Sequence, residues 1–385
     1  MKIAIDIRSA AGEKVGKGWY TFHMVQNLLK LDHENEYILY SKDPVPGFEF
    51  FKNAEQKIID GKSIFWHRNV AKDAVKEECD IFFAPTSYII PTLLPKSVKT
   101  VVTVHDLVAF LFPHNHNKKA VFVEKLFLKR ALKKAAFVAT ISQNTKQDIL
   151  KMFGYDEAKI DILYCSASDE FKPLNKSFLE PFAKKTKLPK KFFLAVGTLE
   201  PRKNYVTLIE AFAEVHKKYP DYHLIIVGGK GWKYEEIFET VRMHYLGKFV
   251  HNLGYVSSGS LVKLYNLAKA LVFPSFYEGF GIPPLEAMKS GCPVIASYSS
   301  SVPEVVGNAA LLINPISEIE IAAAMIKLIK DPDLCEKLRA EGFLQSKKFS
   351  WESSAKKLLE VFGGLGISGT NSSQYVTHFF KSPVL

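Results

Sequence analysis

The sequence predicts two α/β domains, each built on a parallel sheet flanked by helices. Three observations point there. Short apolar runs alternate with amphipathic helical patterns along most of the chain, the pattern left by strands joined through helical crossovers. A length of 385 residues is enough for two hydrophobic cores. The rhythm also breaks over residues 171–191, where prolines and lysines interrupt the strand pattern, and this stretch is the expected linker.

Strands are predicted at residues 2–7, 80–84, 100–104, 137–141 and 160–164 in the first half. In the second half they fall at 192–196, 223–227, 249–253, 270–273, 293–296 and 310–313. Ser142 is placed to cap a helix over residues 144–152. The expected organisation is a doubly wound, Rossmann-like domain over residues 1–172 and a second over 173–350. A helix and tail follow over 351–385, either partly disordered or packed back on the first domain. Ligands of such sheets bind at the carboxyl ends of the strands, so two facing domains would present their loops across a shared cleft.

Composition excludes several classes of function. With 47% hydrophobic and 24% charged residues the chain reads as an ordinary globular protein. It shows no apolar run of membrane-spanning length, and its first residues enter a strand without a secretory leader, so a cytoplasmic location is expected. Cys79, Cys165, Cys292 and Cys335 are far apart, without the spacing of a metal site or a disulfide frame, and read as buried, reduced thiols. The net charge of +11 is uneven: between Lys96 and Lys151, eleven Lys or Arg stand against three acids. Lys118, Lys125, Lys129 and Lys133 share one face of a predicted helix beside Phe122 and Leu126. Such a face either rests on anionic lipid, at the inner side of a membrane, or is a solvated basic surface. Nucleic acid is not expected, since the basic segment carries neither a recognised motif nor an aromatic stacking run.

The chemistry concentrates in two loops of the second half. Glu278 and Glu286 flank a predicted strand-to-helix junction in which Gly279 and Gly281 open the turn and Pro283 and Pro284 suit the first helical turn. The amides of Phe280, Gly281 and Ile282 could there approach hydroxyl or phosphate oxygens at the positive end of a helix. Two glutamates alone could equally be charge complements of that helix end. The other loop runs from Gly197 to Asn204 and sets Arg202 and Lys203 side by side where a helix is expected to begin. Two cations at a positive helix end cost stability unless an anion joins them, and a diphosphate would serve. Weaker signals are read blandly. Asp331 and Asp333 suit helix capping rather than metal, His114 and His116 an exposed or acceptor-side loop, and Gly228 to Trp232 an incomplete phosphate loop. Asn175 and Asn371 head chance glycosylation patterns.

Gly197-Thr198-Leu199-Glu200-Pro201-Arg202-Lys203-Asn204, taken with the Glu278 to Ala287 stretch, resembles the retaining glycosyltransferases of the GT-B fold, in the family 4 group that carries a Glu-x7-Glu motif. Asn252 to Val256, Gly291 to Ala296, Ser301 to Val305, His105-Asp106 and Thr140-Ile141-Ser142 are similar to that family in order and spacing. The resemblance runs to about residue 362 and is most specific in the second domain. It implies that Arg202 and Lys203 hold a donor diphosphate and that Glu286 accepts ribose hydroxyls. Glu278 and the amides of Phe280, Gly281 and Ile282 would orient the donor sugar, and the backbone at Tyr255 and Val256 would meet the base. Gly197 would line the donor site, His105 would approach the sugar, and the loop with Gly16 and Gly18 would face the diphosphate. Family members often carry Gly-Arg-Tyr where this chain has Gly18-Trp19-Tyr20, which leaves Lys14 and Lys17 as the nearby cations.

The implied activity is hexose transfer, with mannose from GDP-mannose as first candidate, to a saccharide or lipid-linked acceptor. Neither a cofactor nor a metal is required in this reading, because the two cations and the helix ends supply positive charge. The alternatives are a GT-B fold phosphorylase, a sugar-nucleotide epimerase or a non-catalytic sugar-nucleotide sensor.

Overall fold

The coordinates are a computed structural model, which describes residues 1–12, 14, 16–113 and 118–366, the side chains of 118–120 excepted. The chain forms two compact units. The first joins Met1–Cys165 to the segment that starts at Ser350, and the second is Ser166–Phe349.

The first unit is built on a seven-stranded parallel sheet of order β3-β2-β1-β4-β5-β6-β7. Its strands are β1 (Lys2–Asp6), β2 (Glu36–Ser41), β3 (Ala54–Ile58), β4 (Ile81–Ala84), β5 (Lys99–Val104), β6 (Phe137–Thr140) and β7 (Ile160–Ile162). The central strands are apolar on both faces because helices cover both, and Ile3, Ala4, Phe82, Phe83, Val101 and Val102 are all fully buried. The helix Trp351–Gly366 belongs to this unit. Phe362 packs on Phe83 with ring centroids 6.0 Å apart, Ser354 Oγ donates to Tyr164 O at 2.8 Å, and Lys357 pairs with Asp161 at 2.7 Å.

The second unit is built on a six-stranded parallel sheet of order β10-β9-β8-β11-β12-β13. Its strands are β8 (Lys191–Val196), β9 (Tyr222–Val227), β10 (Val250–Asn252), β11 (Leu271–Phe273), β12 (Val294–Ser297) and β13 (Ala310–Ile313). Strand order reverses between β8 and β11, so the loops after these two strands diverge around a crevice at their carboxyl ends. Both loops singled out in the sequence follow these strands.

The architecture departs from the sequence expectation in three places. Strands β2 and β3 were not predicted. β2 is a readable apolar run, whereas β3, with the sequence AEQKI, is a partly exposed edge strand with little apolar pattern. The expected linker is not one: it holds the helix Lys176–Thr186, whose Leu179 is buried, and Leu174 N donates to Asn266 Oδ1 at 2.8 Å. The units instead meet between Cys165 and Ser166, so residues 166–172 belong to the second unit, and the return crossing lies between Phe349 and Ser350.

Several local expectations have clear counterparts. Ser142 Oγ accepts from Thr145 N at 3.1 Å and caps the helix Gln143–Phe153. Asp331 accepts from Leu334 N at 2.8 Å and caps the helix Pro332–Ser346. All four cysteines are free and buried. His114, His116, the side chain of Lys118, Asn371 and the tail from residue 367 lie outside the described residues. Among the described residues, no helix is long and apolar enough to cross a membrane.

Candidate active site

Two loops, 75 residues apart in sequence, meet at the crevice between β8 and β11. The first does not start an α-helix at Arg202 as expected. Pro201–Lys203 form a single 3-10 turn, Asn204 follows in left-handed conformation with φ 59°, and the helix Tyr205–Lys218 begins after it. Asparagine tolerates that conformation. The conformation turns the Asn204 amide towards two carbonyls, Pro274 O at 3.1 Å and Pro315 O at 2.5 Å, which ties the loops after β8, β11 and β13 together.

The cations are already paired. Lys203 Nζ contacts Glu278 Oε1 at 2.6 Å, and Arg202 spans Glu278 Oε2 at 2.7 Å, Tyr277 O at 2.7 Å and Glu200. The anion that the sequence demanded at this position is therefore carried by the chain itself, and the four groups sum to zero charge. The Lys203 stem lies against Gly197, where an added Cβ would come 2.9 Å from Lys203 Cε, and its ammonium sits 4.9 Å from the Phe273 ring centre. Burial alone would raise the Glu278 pKa, but Arg202 and Lys203 hold it down to about 2. Burial lowers that of Lys203, with Glu278 opposing.

The loop after β11 is braced from behind. Ser301 Oγ donates to Glu278 O at 2.8 Å and Phe280 O at 2.6 Å, and Ser300 Oγ accepts from Glu278 N at 2.8 Å. Gly281 then adopts φ 132°, a value open mainly to glycine, and the helix Ile282–Lys289 starts with prolines in its first turn. As the first helical residue, Ile282 has an amide outside the helical ladder. Glu286 is half-buried in this helix and accepts from Tyr265 Oη at 2.9 Å. Burial pushes its pKa up to about 7, with the Tyr265 hydrogen bond opposing and the Glu170 charge adding to the rise. Tyr255, more than half exposed, and Val256 follow β10, where Gly254 O accepts from Gly228 N at 2.9 Å.

The remaining candidates lie in the first unit. His105 follows β5 and is buried, with Nε2 donating to Pro85 O at 2.7 Å and the Tyr20 ring 4.7 Å away edge-on. Burial, and then the Lys17 charge, lower its pKa to about 3, so the ring is neutral with Nδ1 as the acceptor nitrogen. Gly16 caps the helix Lys17–Leu31, and Gly18 is buried in its first turn beside Ser9. Lys14 Nζ lies over the rings of Phe22 and Trp19, at 5.0 and 5.7 Å, which sets a cation beside the Gly18-Trp19-Tyr20 turn. Among the described residues, no group of three or more His, Cys, Asp or Glu side chains could hold a metal ion. Sequence reasoning missed Tyr265 and the bracing roles of Asn204, Ser300 and Ser301. Asn204 and Ser301 lay inside motifs already quoted, while nothing marked Tyr265.

Glu278→Gln removes the carboxylate that pairs both Lys203 and Arg202, and the expected loss is about 3 kcal/mol, near the low end for a broken buried pair. Because the folded carboxyl is depressed from 4.5 to about 2, its contribution is complete above pH 4.5 and fades as pH falls towards 2. Urea unfolding of both proteins checks this. The gap between them should be wide at pH 7 and narrower at pH 3.

Comparison with known proteins places this geometry. Residues 178–345 match the family described as "Glycosyl transferases group 1", and residues 16–171 match "Glycosyltransferase Family 4". The chain is 32% identical over 294 residues to O-antigen chain mannosyltransferase B of Escherichia coli, covering 75% of this chain and 76% of that protein. It is 36% identical over 253 residues to O-antigen chain mannosyltransferase RfbU of Salmonella typhimurium, covering 64% and 65%. Among solved structures, sucrose-phosphate synthase from Thermosynechococcus elongatus matches with TM-score 0.78 and 19% identity over 96% of this chain and all of that one. Anabaena HepE in complex with UDP and glucose matches with TM-score 0.76 and 18% identity, over 94% and 99%. Two Rossmann-like units of parallel sheet, the paired loops at the β8–β11 crevice and these matches together make the chain a glycosyltransferase of family 4 with the GT-B fold.

Proposed function

We propose that the protein transfers a hexose from a nucleoside diphosphate sugar to a saccharide or lipid-linked saccharide acceptor, with retention at the anomeric carbon and no required metal. Mannose from GDP-mannose is the first candidate, supported by relatives named as mannosyltransferases of O-antigen chains. The observation that carries the reading is the cluster of Arg202, Lys203 and Glu278 beside the start of the helix Ile282–Lys289. Membership of the family favours transfer over the phosphorylase, epimerase and sensor alternatives.

In this reading Arg202 and Lys203 hold the diphosphate as negative charge builds on it, which is where fixed cations lower a barrier most. Glu200 and Glu278 neutralise both cations, so the diphosphate competes with these carboxylates. Arg202 is the more accessible partner, its side chain 19% exposed against 10% for Lys203. Glu278 so released turns to sugar hydroxyls, with the amides of Phe280, Gly281 and Ile282 completing the sugar contacts. Glu286 takes the ribose and the backbone at Tyr255 and Val256 the base, while Gly197 keeps its place under Lys203. His105 and the turn at Gly16 and Gly18 are the contributions proposed for the first unit. No covalent nucleophile is assigned; the departing diphosphate takes the acceptor proton.

The basic helix face gives the proposal its location. Lys125, Lys129 and Lys133 are exposed on the helix Lys118–Lys134, and Phe122 beside them is 67% exposed. Cations flanking a bare aromatic ring suit an anionic membrane surface.

Four experiments test the reading. Arg202→Ala should lower turnover about a hundredfold, with Arg202→Lys in between because it keeps the charge and loses the fork. Wild-type turnover should survive excess EDTA in the same assay, and loss restored by Mn2+ or Mg2+ would refute the metal-free mechanism. Calorimetric titration with GDP should tighten by up to about tenfold from pH 6 to pH 8 as Glu286 ionises, since a pKa of about 7 is crossed in that window, and Glu286→Gln should flatten the profile. Wild type should sediment with anionic but not neutral vesicles at low salt, and Lys125→Glu with Lys129→Glu should stay in the supernatant.

A further inference from the structure

The helix Lys118–Lys134 turns a stripe of buried side chains towards the core, and Leu128, Ala131 and Leu132 lie on it. Glu124 stands one turn before Leu128 on the same stripe, where helical spacing calls for an apolar residue. Its Oε1 is shut off from solvent and has no hydrogen-bond partner among the described residues.

The surroundings of this carboxyl are those of a binding edge. Lys17, in the first turn after the Gly16 cap, and Asp106, next to His105 at the end of β5, both act on it electrostatically. Glu124 and Asp106 in turn both act on the buried phenol of Tyr88, in the loop after β4. These groups come from the carboxyl ends of the strands, where doubly wound sheets bind ligands. Burial pushes Glu124 up to about 7, with Lys17 opposing and Asp106 adding to the rise.

A buried carboxyl oxygen without a partner costs stability. Neither the core of this unit nor the donor site assigned to the second unit makes use of it. A sugar hydroxyl would, because it can donate to the carboxylate and accept from the protonated acid. We propose that Glu124 is an acceptor-binding residue of the transfer reaction, its carboxyl group receiving a hydroxyl of the saccharide acceptor at the carboxyl edge of the first sheet. This rests on the saccharide-acceptor reading given above.

The test compares wild type, Glu124→Gln and Glu124→Leu, with GDP-mannose as donor and a panel of octyl glycosides, octyl α-mannoside first, as probe acceptors. The acceptor KM should rise in the order wild type, Gln, Leu, because glutamine keeps one accepting oxygen, and it should rise about tenfold or more for Leu, as for a lost hydrogen bond to a charged group. Calorimetric affinity for GDP should stay unchanged. The thermal midpoint of Glu124→Leu should equal or exceed that of wild type, since an unpartnered carboxyl has been removed from an apolar stripe. An unchanged acceptor KM in Glu124→Leu overturns the inference while the saccharide-acceptor reading stands. So does a lowered midpoint in both variants, which would reveal a structural partner. Failure of the wild type on every glycoside of the panel sinks the saccharide-acceptor reading and this inference with it.

Discussion

The buried ion pair between Lys203 and Glu278 is the constraint on which the second unit's loops depend. Each group alone would be driven towards its neutral form by burial. Together, at 2.6 Å, and with Arg202 on the other carboxylate oxygen, they remain charged in a place where water cannot screen them. The pair joins residues that are neighbours only because strand order reverses between β8 and β11. Several contacts that fix the loop after β11 also fix the carboxylate: those of the Ser301 hydroxyl, the Ser300 contact and the Arg202 bond to Tyr277 O. Such a cluster is not an efficient source of stability, since apolar side chains of the same volume would often do as well. What it does is hold two cations in fixed positions beside a helix start, the arrangement on which the proposed diphosphate site relies.

Most of this was legible in the sequence, for reasons that can be given residue by residue. The buried strands read as apolar runs because both faces of a parallel sheet are covered, and β8, β9, β11 and β12 fall within a residue or two of their expected places. The β3 strand was not legible because an edge strand half in solvent needs little apolar pattern. The helix Lys176–Thr186 hid behind Pro181 and three lysines: a proline at its sixth position removes a backbone donor and argues against a helix, yet Leu179 is buried, and the lysines read as linker. The chemistry of Arg202, Lys203, Glu278 and Glu286 was visible as charge beside glycine and proline. What was not visible was that the charges answer one another, because nothing in a linear reading shows that residue 203 and residue 278 share a crevice.

The first unit was read less specifically, and the structure explains why. Its edge residues are individually unremarkable: a histidine whose Nε2 is taken by the Pro85 carbonyl, a glycine buried in a helical turn, and a tryptophan where the family often has arginine. Lys14 lies over that tryptophan, so a positive charge is present at this loop even though the arginine is not. The cation lies over ring faces, whereas Lys203 is paired with the Glu278 carboxylate.

Three glutamates then divide by environment rather than by type. Glu278 is buried among cations and is held near 2, so it is an anion at neutral pH. Glu286 and Glu124 are half-buried, have no cationic partner at hydrogen-bond distance among the described residues, and are pushed to about 7, where each exchanges its proton near neutrality. One difference between those two is a hydroxyl. Tyr265 donates to Glu286 and so favours its ionised form, whereas one Glu124 oxygen has no donor among the described residues. A carboxyl that already holds a donor from the fold is restricted in how it can take another; one with an oxygen left without a donor on an apolar stripe has an unused acceptor and a free-energy reason to fill it. By that argument the sequence position that looked least like a site, one acid in a run of lysines, is where the first unit has most to gain from a bound hydroxyl.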